Sequence, residues 1–381
     1  MSNNKRLLFI ALGVLLILSI VYANFTQKSR PQISTNTTLL DSAGVNETQA
    51  NDPRLTTLAV NLEIPWALVF LPDKNILFTE RPGRVRIIDS QGVLNPNPVA
   101  TIEDVKHFGE GGLLGITIHP NFSNNHFVYF YYTYSSTGND TLNRVVRFKF
   151  ENSAFSEKTI IVDKIPGALF HNGGRIKFGP DGFLYITTGD SQNPSLAQNK
   201  NSLAGKILRV TSDGNPAPDN PFGNLVFSFG HRNPQGITWE GNTLWETEHG
   251  ASTLDELNVI EKGKNYGWPV ISGNQTRNGM ETPVMNSGFD TWAPSGTVFL
   301  NGSIFFAGLR GQALFEYNIE SKILTSHLKG EIGRIREVVV GPASQRGEPD
   351  NLLYITTSNR DGRGAPDATD DKIIRVNPNK L

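Results

Sequence analysis

One pattern recurs six times along this chain. An alternating apolar strand runs into a turn of Pro, Asn or Gly, a second apolar strand follows, and often a third ends in a basic-apolar run. The turns fall at Pro72, Pro120, Pro180, Gly241, Asn301 and Pro342, spaced 41 to 61 residues apart. Multi-stranded repeats with a period of roughly 40–50 residues mark propeller blades. A strand-rich blade cannot cover both of its faces alone, whereas neighbours in a closed ring can. Six units therefore predict an all-β chain, a six-bladed β-propeller over residues 54–381. A β-sandwich is the competing architecture, because period-two alternation is common to both. The recurring unit favours the ring. The segment RLTTLAVNLEIPWAL, residues 54–68, is expected to lend a strand to the last blade and close the circle.

The third unit is the clearest. Residues 170–190, FHNGGRIKFGPDGFLYITTGD, hold two strands around a Pro180-Asp181-Gly182 turn. A hairpin brings the outer ends of its strands together. His171 precedes the first strand and Asp190 follows the second, so the two are expected side by side.

The N-terminus has a different character. Lys5 and Arg6 precede residues 7–23, LLFIALGVLLILSIVYA, which carry no charge. As a helix this run is about 26 Å long, close to the thickness of a bilayer core. Positive charge ahead of it predicts an inside N-terminus and export of the rest. Residues 1–23 thus read as an N-terminal hydrophobic helix, either a signal anchor holding the protein to a membrane or a cleaved signal peptide. Residues 24–53 are rich in Ser, Thr, Asn and Gln and read as a flexible polar linker. The protein is therefore expected to be extracytoplasmic, secreted or membrane-anchored. A net charge of −1 gives no field that would attract nucleic acid. The absence of cysteine excludes thiolate metal sites, cysteine nucleophiles and disulfides.

In a ring of blades, loops at the ends of the innermost strands meet at one mouth of the axial channel. Five polar clusters fall at such positions: residues 109–115, with Glu110; His171 to Arg175, with Asp190 across the hairpin; residues 230–236, GHRNPQG; residues 248–251, EHGA; and Arg310, together with Arg334 and Arg336. Arg232, Arg310, Arg334 and Arg336 come from three units yet share the mouth. Facing one cavity, four guanidiniums repel unless an anion lies between them, and arginine suits carboxylate or phosphate. A multiply anionic ligand is implied. His171 is flanked by Asn172 and two glycines, a setting for a proton acceptor that Asp190 would orient. His119, beside Pro120 at a strand end, reads as structural. No HExxH pattern or paired-histidine spacing points to zinc.

Three stretches, HNGGRIKFGPDGFLYITTGD, GHRNPQG and DELNVIEKGKNYGWP, together resemble the pyrroloquinoline quinone (PQQ)-dependent soluble sugar dehydrogenases, the glucose/sorbosone and aldose sugar dehydrogenase family. The resemblance spans residues 54–381 and implies a six-bladed propeller. It also implies oxidation of an aldose to a lactone, by hydride transfer from the anomeric carbon to PQQ, with electrons passed to an external acceptor, a quinone or redox protein. By the same resemblance His171 matches the catalytic base, Asp190 its paired aspartate, and Arg232 and Asn233 the pair that contacts the quinone. Glu110 stands beside the cofactor. Arg310, Arg334 and Arg336 match residues on the PQQ carboxylates. Gly250 and Ala251 match a Gly-Pro pair whose backbone carbonyls bind the active-site Ca2+; alanine replaces proline here, which spares a carbonyl ligand. Glu256, by its side chain, and Tyr266, by its backbone carbonyl, match a second, structural calcium site. Two rivals are a non-redox propeller that binds carbohydrate or protein and a calcium-dependent lactonase or esterase, which would want carboxylates rather than arginines at the mouth.

Overall fold

The computed structural model describes residues 54–136, 140–342 and 351–381. In chain order the first strand, β1 (Leu55–Ala59), precedes five blades built from consecutive strands. Blade one is β2 (Pro65–Phe70), β3 (Ile76–Glu80), β4 (Arg84–Ile88) and β5 (Ala100–Thr101). Blade two is β6 (Leu113–Ile118), β7 (Phe127–Ser135), β8 (Thr141–Glu151) and β9 (Ala154–Pro166). Blade three is β10 (Ile176–Phe178), β11 (Leu184–Thr188), β12 (Lys206–Val210) and β13 (Val226–Phe229). Blade four is β14 (Pro234–Glu240), β15 (Thr243–Glu248), β16 (Glu256–Ile260) and β17 (Met285–Asn286). Blade five is β18 (Pro294–Leu300), β19 (Ser303–Gly308), β20 (Ala313–Asn318) and β21 (Leu324–His327). Blade six joins β22 (Ile335–Gly341), β23 (Leu352–Thr357) and β24 (Ile373–Val376) to β1. The six-bladed, all-β expectation holds, with four strands per blade where the sequence pattern showed two or three.

The circle closes as the sequence suggests. β1 runs antiparallel to β24, with Leu55 opposite Val376. Blades pack face to face, and this explains β7, whose six residues from Val128 to Thr133 are all buried. Alternation gives way to a continuous buried run because both faces of the blade meet a neighbour. The hydroxyls of its tyrosines find acceptors: Tyr131 donates to Asn172 O at 2.7 Å and Tyr132 to Asp104 at 2.7 Å.

The innermost strands β2, β6, β10, β14, β18 and β22 surround the axis. In five of the six blades the register of the innermost strand shifts within its first few residues. Such bulges bend a strand and re-aim its side chains. All five lie at the same end of the ring, where the polar clusters gather. Backbones approach closely there. A Cβ on Gly296 would run into Glu337 Oε1 and lie 2.8 Å from the Glu337 Cα. The hydrophobic segment at residues 7–23 and the polar stretch at 24–53 lie outside the described residues. Among the described residues no helix is long and apolar enough to cross a membrane.

Candidate active site

A cavity of about 310 Å³ opens at the bulged end of the ring. Its wall holds Glu110, His171, Arg232, Asn233, Gly250, Ala251, Arg310, Arg334 and Arg336. The sequence thus named nine residues, scattered over more than two hundred positions, that the fold gathers in one place. Asp190 stands directly behind His171. Glu256 and Tyr266 lie apart from the cavity wall, and His119 is bound instead within a surface turn, where its Nδ1 accepts from Asn121 N at 3.0 Å.

His171 sits in the left-handed region, φ +62°, a conformation that costs a non-glycine residue roughly 1 kcal/mol or more. The loop is held there from both sides. His171 N donates to Glu110 Oε2 at 3.1 Å, and Ser191 N donates to His171 O at 3.2 Å. Gly173, also at φ +62°, lets the loop lie against β11, since a Cβ there would come within 2.7 Å of Thr187 O. His171 Nδ1 then meets Asp190 Oδ1 at 2.7 Å. With Nδ1–H donating to the carboxylate, Nε2 is left as the bare acceptor on the cavity side. Asp190 is fully buried. Gln192 N donates to its Oδ1 at 2.9 Å, and Trp268 Nε1 donates to its Oδ2 at 2.8 Å. The dyad is therefore a triad with an indole as its third member.

Arg232 lies 5.3 Å above the Trp268 ring. Its Nη1 and Nη2 donate to His249 O at 3.3 Å and Ala251 O at 3.4 Å, so these carbonyls face a cation across the cavity wall. Its Nε is buried with no partner. Burial lowers the Arg232 pKa, against the pull of Asp190 and Glu248. Arg336 is more deeply enclosed. Burial brings its pKa down to about 9, with Asp361 opposing. Its Nη1 donates to Gln235 Oε1 at 2.8 Å, while its Nε has no partner. Arg334 Nη2 pairs with Asp361 Oδ2 at 2.7 Å. Burial alone would raise the Asp361 carboxyl, but Arg336 and Arg334 hold it below the ordinary range. The Arg310 guanidinium makes no hydrogen bond or ion pair to another described residue. Asn233 Oδ1 accepts from Gly173 N at 3.0 Å, which ties the histidine loop to β14.

Asp255, in the same wall, is committed to structure. Gly250 N donates to its Oδ1 at 2.9 Å; Thr291 Oγ1, Trp292 N and Ala293 N converge on its Oδ2. It pins the loop that carries Gly250 and Ala251. Glu256 belongs to a buried acidic group with Glu246 and Glu248. Burial, and then Glu248, push the Glu256 carboxyl up to about 8. His231, Glu246 and Glu248 present ligand atoms within 4.8 Å of one another. Glu246 Oε1 and Asn258 Oδ1, in the same layer, are buried without donors. The Tyr266 ring stacks on His231 with centroids 4.8 Å apart.

Two contributors escaped sequence reasoning, and two more lay inside named stretches without a role of their own. Arg363 reaches the cavity from the loop after β23, where its Nη1 donates to Glu110 Oε1 at 2.6 Å and its guanidinium lies 5.0 Å from the Phe170 ring. Asp361 belongs to the same loop. His249 lines the cavity, its pKa brought down to about 4 by burial, which leaves a neutral imidazole. Trp268 was part of a recognised motif but had no role assigned. The RDGRG run at residues 360–364, charged and rich in glycine directly after a strand, was the available signal for the first two.

Comparison with known proteins matches residues 62–374 to the Glucose / Sorbosone dehydrogenase family. The chain is 35% identical to an uncharacterized protein of Synechocystis, over 83% of this chain and 87% of that one. It is 30% identical to the aldose sugar dehydrogenase YliI of Escherichia coli, over 83% of this chain and 91% of that one. Among solved structures it resembles the PQQ-bound form of an aldose sugar dehydrogenase from Streptomyces coelicolor, at 38% identity and a TM-score of 0.79, covering 85% of this chain and 97% of that one.

Proposed function

The chain belongs to the glucose/sorbosone dehydrogenase family of PQQ-dependent soluble sugar dehydrogenases, and from that premise we propose that it oxidises aldoses to lactones in the mouth cavity, using PQQ and Ca2+. Electrons would leave to an external acceptor, a quinone or redox protein. Residues 7–23 would carry the propeller out of the cytoplasm, as a signal peptide or as an anchor in the membrane.

One observation carries the reading: arginines crowd the same cavity wall as His171, and two of them hold guanidinium nitrogens without partners. Arg232 Nε and Arg336 Nε are buried orphans. Each unmet donor of this kind costs roughly 1–3 kcal/mol. Five arginines, Arg232, Arg310, Arg334, Arg336 and Arg363, line the cavity against the carboxylates of Glu110 and Asp255. A tricarboxylate suits that excess of positive charge, and the residues present fit PQQ. The backbone carbonyls of Gly250 and Ala251, in the cavity wall, would supply the oxygen ligands that a hard cation takes. A second cation suits the buried oxygens of Glu256, Glu246 and Asn258 beside Tyr266.

When bound, PQQ supplies the two-electron acceptor and Ca2+ a Lewis acid. The protein supplies the rest. His171 Nε2 takes the proton of the anomeric hydroxyl as the anomeric carbon gives up its hydride. General bases of this kind contribute about 10²–10⁴-fold. Asp190 fixes the tautomer of His171 and stabilises the imidazolium that forms. Arg232 puts positive charge beside the point where negative charge develops. Asn233, through Gly173 N, keeps the base at a constant distance from Arg232.

The test begins with the metal-free apoprotein. Titration with PQQ and Ca2+ is followed by absorbance, and dye reduction is then measured against a panel of aldoses. Saturable binding, aldose-dependent reduction and loss of turnover in His171→Ala with PQQ binding retained are expected. Absence of PQQ binding, or full turnover in the variant, overturns the assignment.

A further inference from the structure

A second cavity, of about 240 Å³, lies on the propeller axis itself. Residues of all six innermost strands line it, among them Val69, Ile116, Lys177, Ile237, Val298 and Val339. A polar layer separates it from the mouth cavity. In that layer Arg175 Nε donates to Gln235 O at 2.9 Å, Arg175 Nη1 is paired with Glu337 Oε2, and the Arg175 guanidinium lies 4.3 Å from the Trp66 ring. Gln235 faces the mouth cavity, while Arg175, Lys177 and Glu337 line the axial one.

The charges on this axis do not balance. Arg175 and Lys177 are cationic, and Glu337 is the one carboxylate among the residues lining the channel. Glu337 is engaged by Arg175 on one oxygen and by Val338 N, at 3.0 Å, on the other. The Lys177 ammonium has no hydrogen bond or ion pair to another described residue. Arg175 is 5% exposed, and its Nη2 is buried with no partner. Burial draws the Lys177 pKa down to about 8, Glu337 opposing and Arg175 adding to the effect, as expected for an ammonium short of counter-charge. Arg175, whose Nη2 is buried without a partner, and the half-buried Lys177 thus line one cavity with a single positive charge in excess.

We propose that the axial channel binds one weakly hydrated monovalent anion, a halide or an ion of similar size, between Lys177 and Arg175. The charge excess sets the valence. The aliphatic walls set the class. Stripping water from sulfate or phosphate costs far more than from bromide or chloride, and the channel offers only two cationic donors in return. Such an ion satisfies Arg175 Nη2, neutralises Lys177 and locks the centre of the ring, where six blades depend on one another. It does so without touching the mouth cavity.

The test uses the full chain, with and without PQQ. Crystals soaked in bromide are measured at the bromine absorption edge, and melting temperature is followed at constant ionic strength as bromide replaces gluconate. An anomalous peak in the channel beside Lys177 is expected, with melting rising by about 2–5 °C as bromide goes from well below to well above its dissociation constant. In Lys177→Met both signals should vanish while PQQ still binds. The crystal measurement on the unsubstituted protein decides the matter even if that variant fails to fold. Bromide soaks that leave the channel without an anomalous peak overturn the proposal, as does a melting shift that is equal for bromide and gluconate or unchanged in Lys177→Met.

Discussion

Replacing Trp268 with phenylalanine isolates the third member of the histidine triad. The change keeps an aromatic face beneath Arg232 and removes one donor, the indole N–H that meets Asp190 Oδ2 at 2.8 Å. Asp190 is fully buried, so no water replaces that donor. Oδ1 keeps Gln192 N and His171 Nδ1, but Oδ2 is left bare. A hydrogen bond to a charged group is worth about 1.5–3 kcal/mol. Felt fully in the transition state, where the imidazolium leans hardest on Asp190, that loss amounts to roughly a 10- to 150-fold fall in kcat. The Phe variant, loaded with PQQ and Ca2+, should therefore lose kcat in steady-state dye reduction. Its KM for the aldose and its PQQ affinity should stay within about threefold, because Trp268 Nε1 spends its hydrogen on Asp190. A variant that melts several degrees lower yet turns over within twofold of the native rate would show that Trp268 supports only the fold, and would refute the argument.

Arg336→Met keeps side-chain length and removes the most deeply enclosed guanidinium of the mouth, leaving Asp361 paired with Arg334; PQQ affinity measured by absorbance titration should weaken by roughly 10- to 100-fold, with kcat at saturating PQQ nearly retained. Asp361 is held below the ordinary carboxylate range by Arg336 and Arg334. Its stabilisation is then fully present above its unfolded pKa, about 4, and disappears as pH falls through the lower folded value. The gap in melting temperature between native protein and Asp361→Asn should accordingly be constant from about pH 5 to 8 and close on acidification. Adding Ca2+ to metal-free protein should raise the melting temperature by several degrees, and Glu256→Gln should abolish most of that rise; an equal rise in the variant assigns the stabilising cation elsewhere.

How much of this was legible in the chain differs from layer to layer. The inner hairpins announced themselves because strand, turn and strand sit within about twenty residues and repeat. Apart from β1, the outermost strands did not. β5 and β17 are two residues each, at the rim, and carry no apolar period. Arginines at the mouth were findable because each stands beside a glycine or at the edge of an inner strand. Arg363 and Asp361 sit in a loop whose shape comes from contacts rather than periodicity. The Arg175–Glu337 pair joins residues 162 positions apart, and no local pattern encodes a partner across the axis. Asp190 and His171 could be paired because one hairpin links them. Trp268 reaches Asp190 from 78 residues away, and only the fold introduces them.

β1 and β24 lie side by side in blade six, and Asn377 N donates to Arg54 O at 2.8 Å. The first and last strands of the described ring are thus stitched to each other, and the polypeptide around the axis is circular in all but one covalent link. Where such a chain begins is arbitrary. A permutant that joins residue 381 to residue 54 through a short glycine linker and starts anew at the exposed Gly241–Asn242 turn should fold to the same ring, because every blade would keep its four strands and only blade four would be opened, at a surface turn.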